Sequence, residues 1–174
     1  MELALVGLRL VVGLGFAAHG AQKLFGSFGG HGLEGTAGFF EQIGLRPGAL
    51  HARAAGTAEF LGGLLIAVGL LTPFAAAALI AVMTAAVLTV HVKNGFFNTN
   101  QGYEYNLTLV AALFALAAIG SGEWSLDYAL DLELAGTGWA LAALGVGLLG
   151  GLGAVFGGRI AGRAETGPGH PGTA

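Results

Sequence analysis

Ala52 to Leu71 reads ARAAGTAEFLGGLLIAVGLL, a run of 20 residues in which Arg53 and Glu59 are the only charged side chains. A helix of about 20 apolar residues crosses the ~30 Å hydrocarbon core of a bilayer. Glu59 lies inside that run, among Ala55, Gly56, Gly62 and Gly63. A charge within a membrane span costs roughly 2.5–3.5 kcal/mol on insertion scales, so such a residue faces a bundle interior and takes a partner. The stretch sets two expectations: a helical membrane protein, and a buried carboxylate around which it is organised.

The whole chain agrees. Of its 174 residues 55% are hydrophobic and 10% charged, with a mean hydropathy of +0.75, whereas an ordinary soluble domain carries about 25% charged residues. There is no cysteine. This polypeptide therefore supplies no disulfide, thiol nucleophile or iron–sulfur ligand, and any redox chemistry requires a cofactor or a partner. The net charge of -3 decides little, and no nucleic-acid partner is expected. The start, Met1-Glu2-Leu3, lacks a basic n-region and places Arg9 inside the apolar run, so the first span is expected to be retained rather than cleaved.

Outward from the central stretch, the spans follow in order. Leu3 to Lys23 is the first, with Arg9, Gly13, Phe16, Gly20 and Lys23 along one stripe and His19 at its edge. That stripe should face other helices, because small residues allow close approach and polar ones avoid lipid. Phe25 to Gly32 is a glycine-rich loop, either a flexible turn or an ordered loop that brings His31 to a ligand. Leu33 to Ile43 reads as a short interfacial helix. Thr72-Pro73 turns the central span into a third, Phe74 to Val92. Lys93 to Gly102 is a loop, and Tyr103 to Ile119 is the fourth span. Ser121 to Gly136 has the pattern of an amphipathic interfacial segment anchored by Trp124 and Tyr128. Trp139 to Phe156 is a fifth span, with Gly147/Gly151 and Gly153/Gly157 at the spacing of close helix contacts.

The fold expected is an all-α integral membrane protein, a four-helix transmembrane bundle with a fifth C-terminal transmembrane helix. Residues 1–120 form the four-helix domain, 121–158 the interfacial segment and fifth span, and 159–174 a disordered cytoplasmic tail. Lys23, Arg46, Arg53, Lys93, Arg159 and Arg163 fall at one end of the bundle. The positive-inside rule then places the N-terminus outside and the C-terminus in the cytoplasm of the bacterial inner membrane.

That same end gathers the polar residues. At 1.5 Å per residue, His19, Glu59 and His91 lie within roughly 10 Å of one level. Lys23, Asn94, Glu104, Tyr105 and Asn106 come from the same end, while Arg9 sits about 15 Å further along the first span. Each has an ordinary structural reading as well, the lysines as snorkelling charges and the histidines as interfacial residues, and Arg9 reads equally as an ion-pair partner or a ligand anchor.

The run Arg9…His19-Gly20…Lys23-Leu24-Phe25-Gly26…Gly29-Gly30-His31-Gly32, the stretches Ala55 to Gly63 and Gly69 to Pro73, and His91…Asn94-Gly95-Phe96-Phe97 with Tyr103-Glu104-Tyr105-Asn106 resemble the DoxX family of bacterial inner-membrane proteins. The resemblance covers Leu3 to about Ile119. It implies a four-helix membrane bundle, kinship with a subunit of archaeal thiosulfate:quinone oxidoreductase, and association with oxidative-stress and thiol-handling complexes.

Three readings of function stand beside one another. In the first, a redox subunit working with a partner redox protein binds a quinone or similar small carrier. Glu59, His19 and His91 handle protons there, while Arg9 or Lys23 stabilises negative charge, with His31, Asn94, Glu104, Tyr105 and Asn106 lining the site. In the second, His19 and His91 are axial haem ligands. In the third, the chain is a non-enzymatic scaffold or small-solute carrier, alone or as a homo-oligomer, and Glu59 forms a structural ion pair. No metal site is expected in the first or third.

Overall fold

A computed structural model describes residues 1–165. The described part is built of helices joined by short connections, with no strand among the described residues: α1 (Glu2–Phe25), α2 (Gly32–Gln42), α3 (Gly48–Val68), α4 (Thr72–Ala86), α5 (Glu104–Ile119), α6 (Leu126–Ala129) and α7 (Thr137–Glu165). Three helical stretches are long and apolar enough to cross a membrane, Glu2–Phe25, Thr72–Asn94 and Thr137–Ala164, and Glu104–Ile119 is a shorter apolar helix. The chain is an all-α membrane bundle, as its composition requires. α3 is also long enough to span, at 21 residues, but carries His51, Arg53 and Glu59 along its length.

α1 lies along α3, and α4 is central, touching α3, α5 and α7. The α1–α3 contact is made by glycines. A Cβ on Gly63 would lie 2.5 Å from the Gly13 carbonyl oxygen and the Ala17 amide, and Gly20 sits as tightly against Gly56 and Phe60. Lipid tails are as apolar as leucine, so helices in a bilayer are held by such backbone proximity and by polar bonds rather than by the hydrophobic effect. The buried stripe of α1, including Arg9, Gly13, Phe16 and Gly20, is the one expected; His19 at its edge is exposed. Val12, Phe16, Ile66, Leu79, Ile80, Leu113 and Leu116 fill the centre.

α7 packs on α4 through one of its two glycine pairs. Gly147 meets Ile80 and Ala77, and Gly151 meets Ala81 and Thr84, whereas Gly153 and Gly157 face open space. The helix continues through 159–165, a part of the chain read from sequence as disordered; the remainder of that predicted tail lies outside the described residues.

The loop after α1 takes the ordered form of its two sequence readings, without bringing His31 to the cavity: Gly30 N–H bonds the Ser27 carbonyl at 3.0 Å, and Gln22 Nε2 bonds that of Phe28 at 3.2 Å. In the predicted amphipathic segment, only Leu126–Ala129 is helical. Trp124 and Tyr128 are exposed, as anchors would be, but Asp127 is buried. Its carboxylate accepts from Leu71 N at 2.7 Å, Thr72 N at 3.2 Å and Thr72 Oγ1 at 2.7 Å. It therefore caps the N-terminus of α4, where free amides and the helix dipole favour an anion.

Candidate functional site

Glu59 lies about three turns into α3 and is 2% exposed. Lys23, in the last turn of α1, donates a hydrogen bond to its carboxylate and forms a salt bridge with it. The glycine contact between the helices makes the pairing geometric: at Gly56, one turn before Glu59, a Cβ would stand 2.7 Å from Leu24 Cδ2 and 3.4 Å from Lys23 Cβ. With no side chain at Gly56, Lys23 lies across α3 and reaches inward. Its side chain is 25% exposed, so the pair runs from the buried carboxylate toward the bundle end. His19, one turn before Lys23 on α1, is exposed.

The pair lines a cavity of about 520 Å³ between α3, α4 and α7, to which Phe39 and Phe40 of α2 and Ile43 just after it also contribute. Its wall is largely apolar, about half of it alanine and glycine, and its polar lining is Lys23, Glu59, His51, Thr89 and His91. Packing contacts set the depth of each. Gly62 of α3 rests on Leu79 of α4, so Glu59, one turn earlier on the antiparallel α3, is level with about residue 82 of α4. His91 lies some 12–13 Å further out along α4, and His51 about 12 Å further out along α3. The cavity thus has an inner polar level, Lys23–Glu59, and an outer one, His51, Thr89 and His91.

The outer level is built on an irregular helix. α4 passes into a π turn at Val87–His91 and then a 3-10 turn at Val92–Asn94. π turns concentrate at functional positions, since the extra residue per turn displaces side chains from the regular helical face. His91 Nδ1 is 2.7 Å from the Gln101 carbonyl oxygen. A carbonyl only accepts, so Nδ1 carries the hydrogen and, in the neutral ring, Nε2 keeps a free lone pair.

Of the residues singled out from sequence, Glu59, Lys23 and His91 line the cavity, and the others do not. Arg9 lies at the opposite end of the bundle. It is 3% exposed and donates to the carbonyls of Ser121 and, at 2.6 Å, Trp124, so it clamps the α5–α7 connection against the α3–α4 turn. His31 is exposed beyond the loop after α1. Asn94 donates to the Val90 and Gln101 carbonyls at 3.4 and 3.3 Å, and Glu104 accepts from Asn98 N at 2.9 Å; both knit the loop rather than line the site. Asn106 is buried against Met83 Sδ at 3.4 Å, between α4 and α5, and Tyr105 is exposed.

His51 and Thr89 were missed. His51 follows the stripe Ala54, Ala55, Ala58, Glu59 backward by helical spacing, a signal legible in the sequence. Thr89 had none, since its place depends on the π turn. Haem held by His19 and His91 does not fit, because only His91 lines the cavity. Among the described residues, no group of three or more His, Asp or Glu side chains is placed to hold a metal ion.

A profile of the DoxX family matches residues 4–92. The uncharacterized membrane protein Rv3486 of Mycobacterium tuberculosis is 29% identical over 138 residues, covering 74% of this chain and 82% of that protein. The "Putative oxidoreductase CatD" of Bacillus subtilis is 32% identical over 126 residues, covering 72% and 86%. No solved structure matches. The matched region holds α1 to α4, with both members of the Lys23–Glu59 pair and the π turn, and the chain belongs to the DoxX family.

Proposed function

We propose that this protein is the membrane subunit of a redox system and that its cavity binds a quinone or a similar small electron carrier. The observation that carries the reading is the Lys23–Glu59 pair at the inner end of an apolar cavity within a membrane bundle. An ion pair that only fastened two helices would need no cavity beside it, and ligand pockets combine apolar walls with a few placed polar groups. The name of the Bacillus relative points to the same chemistry.

The residues present suit such a carrier. A bound quinone would take up two electrons and two protons. Lys23 supplies a positive charge and N–H donors to an oxygen that gains electron density. Glu59, held beside it, is the group positioned to exchange a proton at that level. His91, with Nδ1 tied to Gln101, keeps Nε2 as a proton acceptor at the outer level. The chain has no cysteine, so the electrons come from a partner redox protein. The basic end of the bundle, with Lys23, Arg53, Lys93 and Arg159, faces the cytoplasm of the bacterial inner membrane by the positive-inside rule, and the partner docks there.

Native mass spectrometry of protein extracted gently from its own membranes tests this. Wild type should carry a quinone that Glu59→Gln loses and His31→Ala keeps. One observation favours the scaffold reading: Lys23–Glu59 also ties α1 to α3. A bare polypeptide, or one carrying only bulk phospholipid, in all three samples would establish that reading instead.

A further inference from the structure

The family match ends at residue 92, yet one wall of the cavity comes from α7, through Gly150, Gly151 and Ala154. α7 runs parallel to α4, and Gly151 packs against Ala81 and Thr84 of that helix. This is the level at which Glu59 stands on the other side of α4, so the α7 wall bounds the cavity where the ion pair meets it.

The two adjacent glycines differ. A Cβ on Gly151 would fall 2.6 Å from the Ala81 carbonyl oxygen and from Thr84 Cβ, so Gly151 exists for helix packing. A Cβ on Gly150 meets only Ala81 Cβ, at 3.4 Å, a contact the structure tolerates. Gly150 therefore has no strong packing reason to lack a side chain, and its φ is not in the left-handed region that favours glycine. What its missing side chain leaves open is the cavity. Ala154, one turn on, continues the same wall.

We infer that Gly150, with Ala154, sets the width of the site beside Lys23–Glu59 and so decides how bulky a ring the site admits. α7 is then the specificity element of a ligand site whose charged pair lies in the family-matched helices. The inference rests on the redox-carrier reading and gives it a selectivity: a side chain grown from position 150 excludes a fused two-ring naphthoquinone before a single-ring benzoquinone, because added bulk in a fixed space penalises the larger occupant first.

The test is equilibrium binding of tailless 1,4-benzoquinone and 1,4-naphthoquinone derivatives to the full-length protein in nanodiscs, with Gly150→Leu, Ala154→Leu and Gly153→Leu. Gly153 is on the same helix but faces open space. Gly150→Leu should weaken naphthoquinone binding about tenfold more than benzoquinone binding. Ala154→Leu should act in the same direction, and Gly153→Leu should match wild type. Melting temperatures confirm which variants fold; if Gly150→Leu does not, Ala154→Leu and Gly150→Ala carry the comparison. Equal loss of both rings, or no difference from Gly153→Leu, overturns the inference while leaving the carrier reading standing. Failure of wild type to bind either ring overturns both.

Discussion

Lys23, in the last turn of α1, and Glu59, about three turns inside α3, are joined across a helix contact made of glycines, and their pair forms the inner polar end of an apolar cavity. A charged pair in this position is costly to break from one side. Removing Lys23 strands a carboxylate that is 2% exposed, whereas removing the charge of Glu59 leaves a lysine that can turn outward to the bundle end.

Lys23→Met should therefore destabilise more than Glu59→Gln, by about 3 kcal/mol against about 1 kcal/mol. The double variant should recover much of the loss, since the partners share one interaction. Thermal unfolding in detergent measures all three. Additive losses would mean that the pair is not coupled.

Asp127 holds the start of α4 from a segment more than fifty residues away. Asp127→Ala should cost about 2 kcal/mol or more, because it removes a charged cap and leaves Thr72 without its partner. Glu133→Ala, an exposed neighbour in the same connection, should stay within about 0.5 kcal/mol. Denaturation of the two variants side by side checks this.

Arg9→Met should loosen the α5–α7 connection without touching the cavity. Hydrogen exchange over 121–127 should accelerate, because the two carbonyls that Arg9 holds lose their donor, while exchange over 87–91 stays unchanged. An effect confined to the cavity end would contradict the placement of Arg9.

Gly63→Ala should destabilise strongly, since its Cβ would lie against the backbone of α1, and Gly15→Ala, which meets nothing within 4 Å, should be neutral or slightly stabilising. Comparing their melting temperatures tests whether the glycines or the ion pair alone holds α1 on α3.

What the sequence made legible follows from the range of each interaction. The helices were readable because apolar runs of spanning length end at local punctuation: Gly26, the Gly69 to Pro73 turn, Gly120. The buried stripe of α1 was readable because helical spacing decides which residues share a face. Glu59 stood out because a carboxylate in an apolar span is costly wherever it lies. Its choice of Lys23 was less visible, since that depends on how closely Gly20 and Gly56 bring two helices together. Arg9 stays open in the sequence between an ion-pair partner and a ligand anchor because its partners are main-chain carbonyls 112 and 115 residues away, which carry no side-chain signal. The burial of Asp127 carries no sequence signal for the same reason: it binds the amides of Leu71 and Thr72 rather than another charged residue. The contribution of α7 to the cavity could not be read from spacing within α7, because Gly150 and Gly151 look alike until the positions of Ala81 and Thr84 are known.

The central claim is that a quinone-type carrier sits beside Lys23 and Glu59. Photo-crosslinking with an azidoquinone in native membranes, followed by peptide mapping, tests it most directly. The account predicts labelling of α3 near Ala55–Glu59 and of α4 within 78–91, competed by unlabelled quinone and lost in Glu59→Gln. Label that is not competed, or that falls on 121–136 at the Arg9 end, would contradict it.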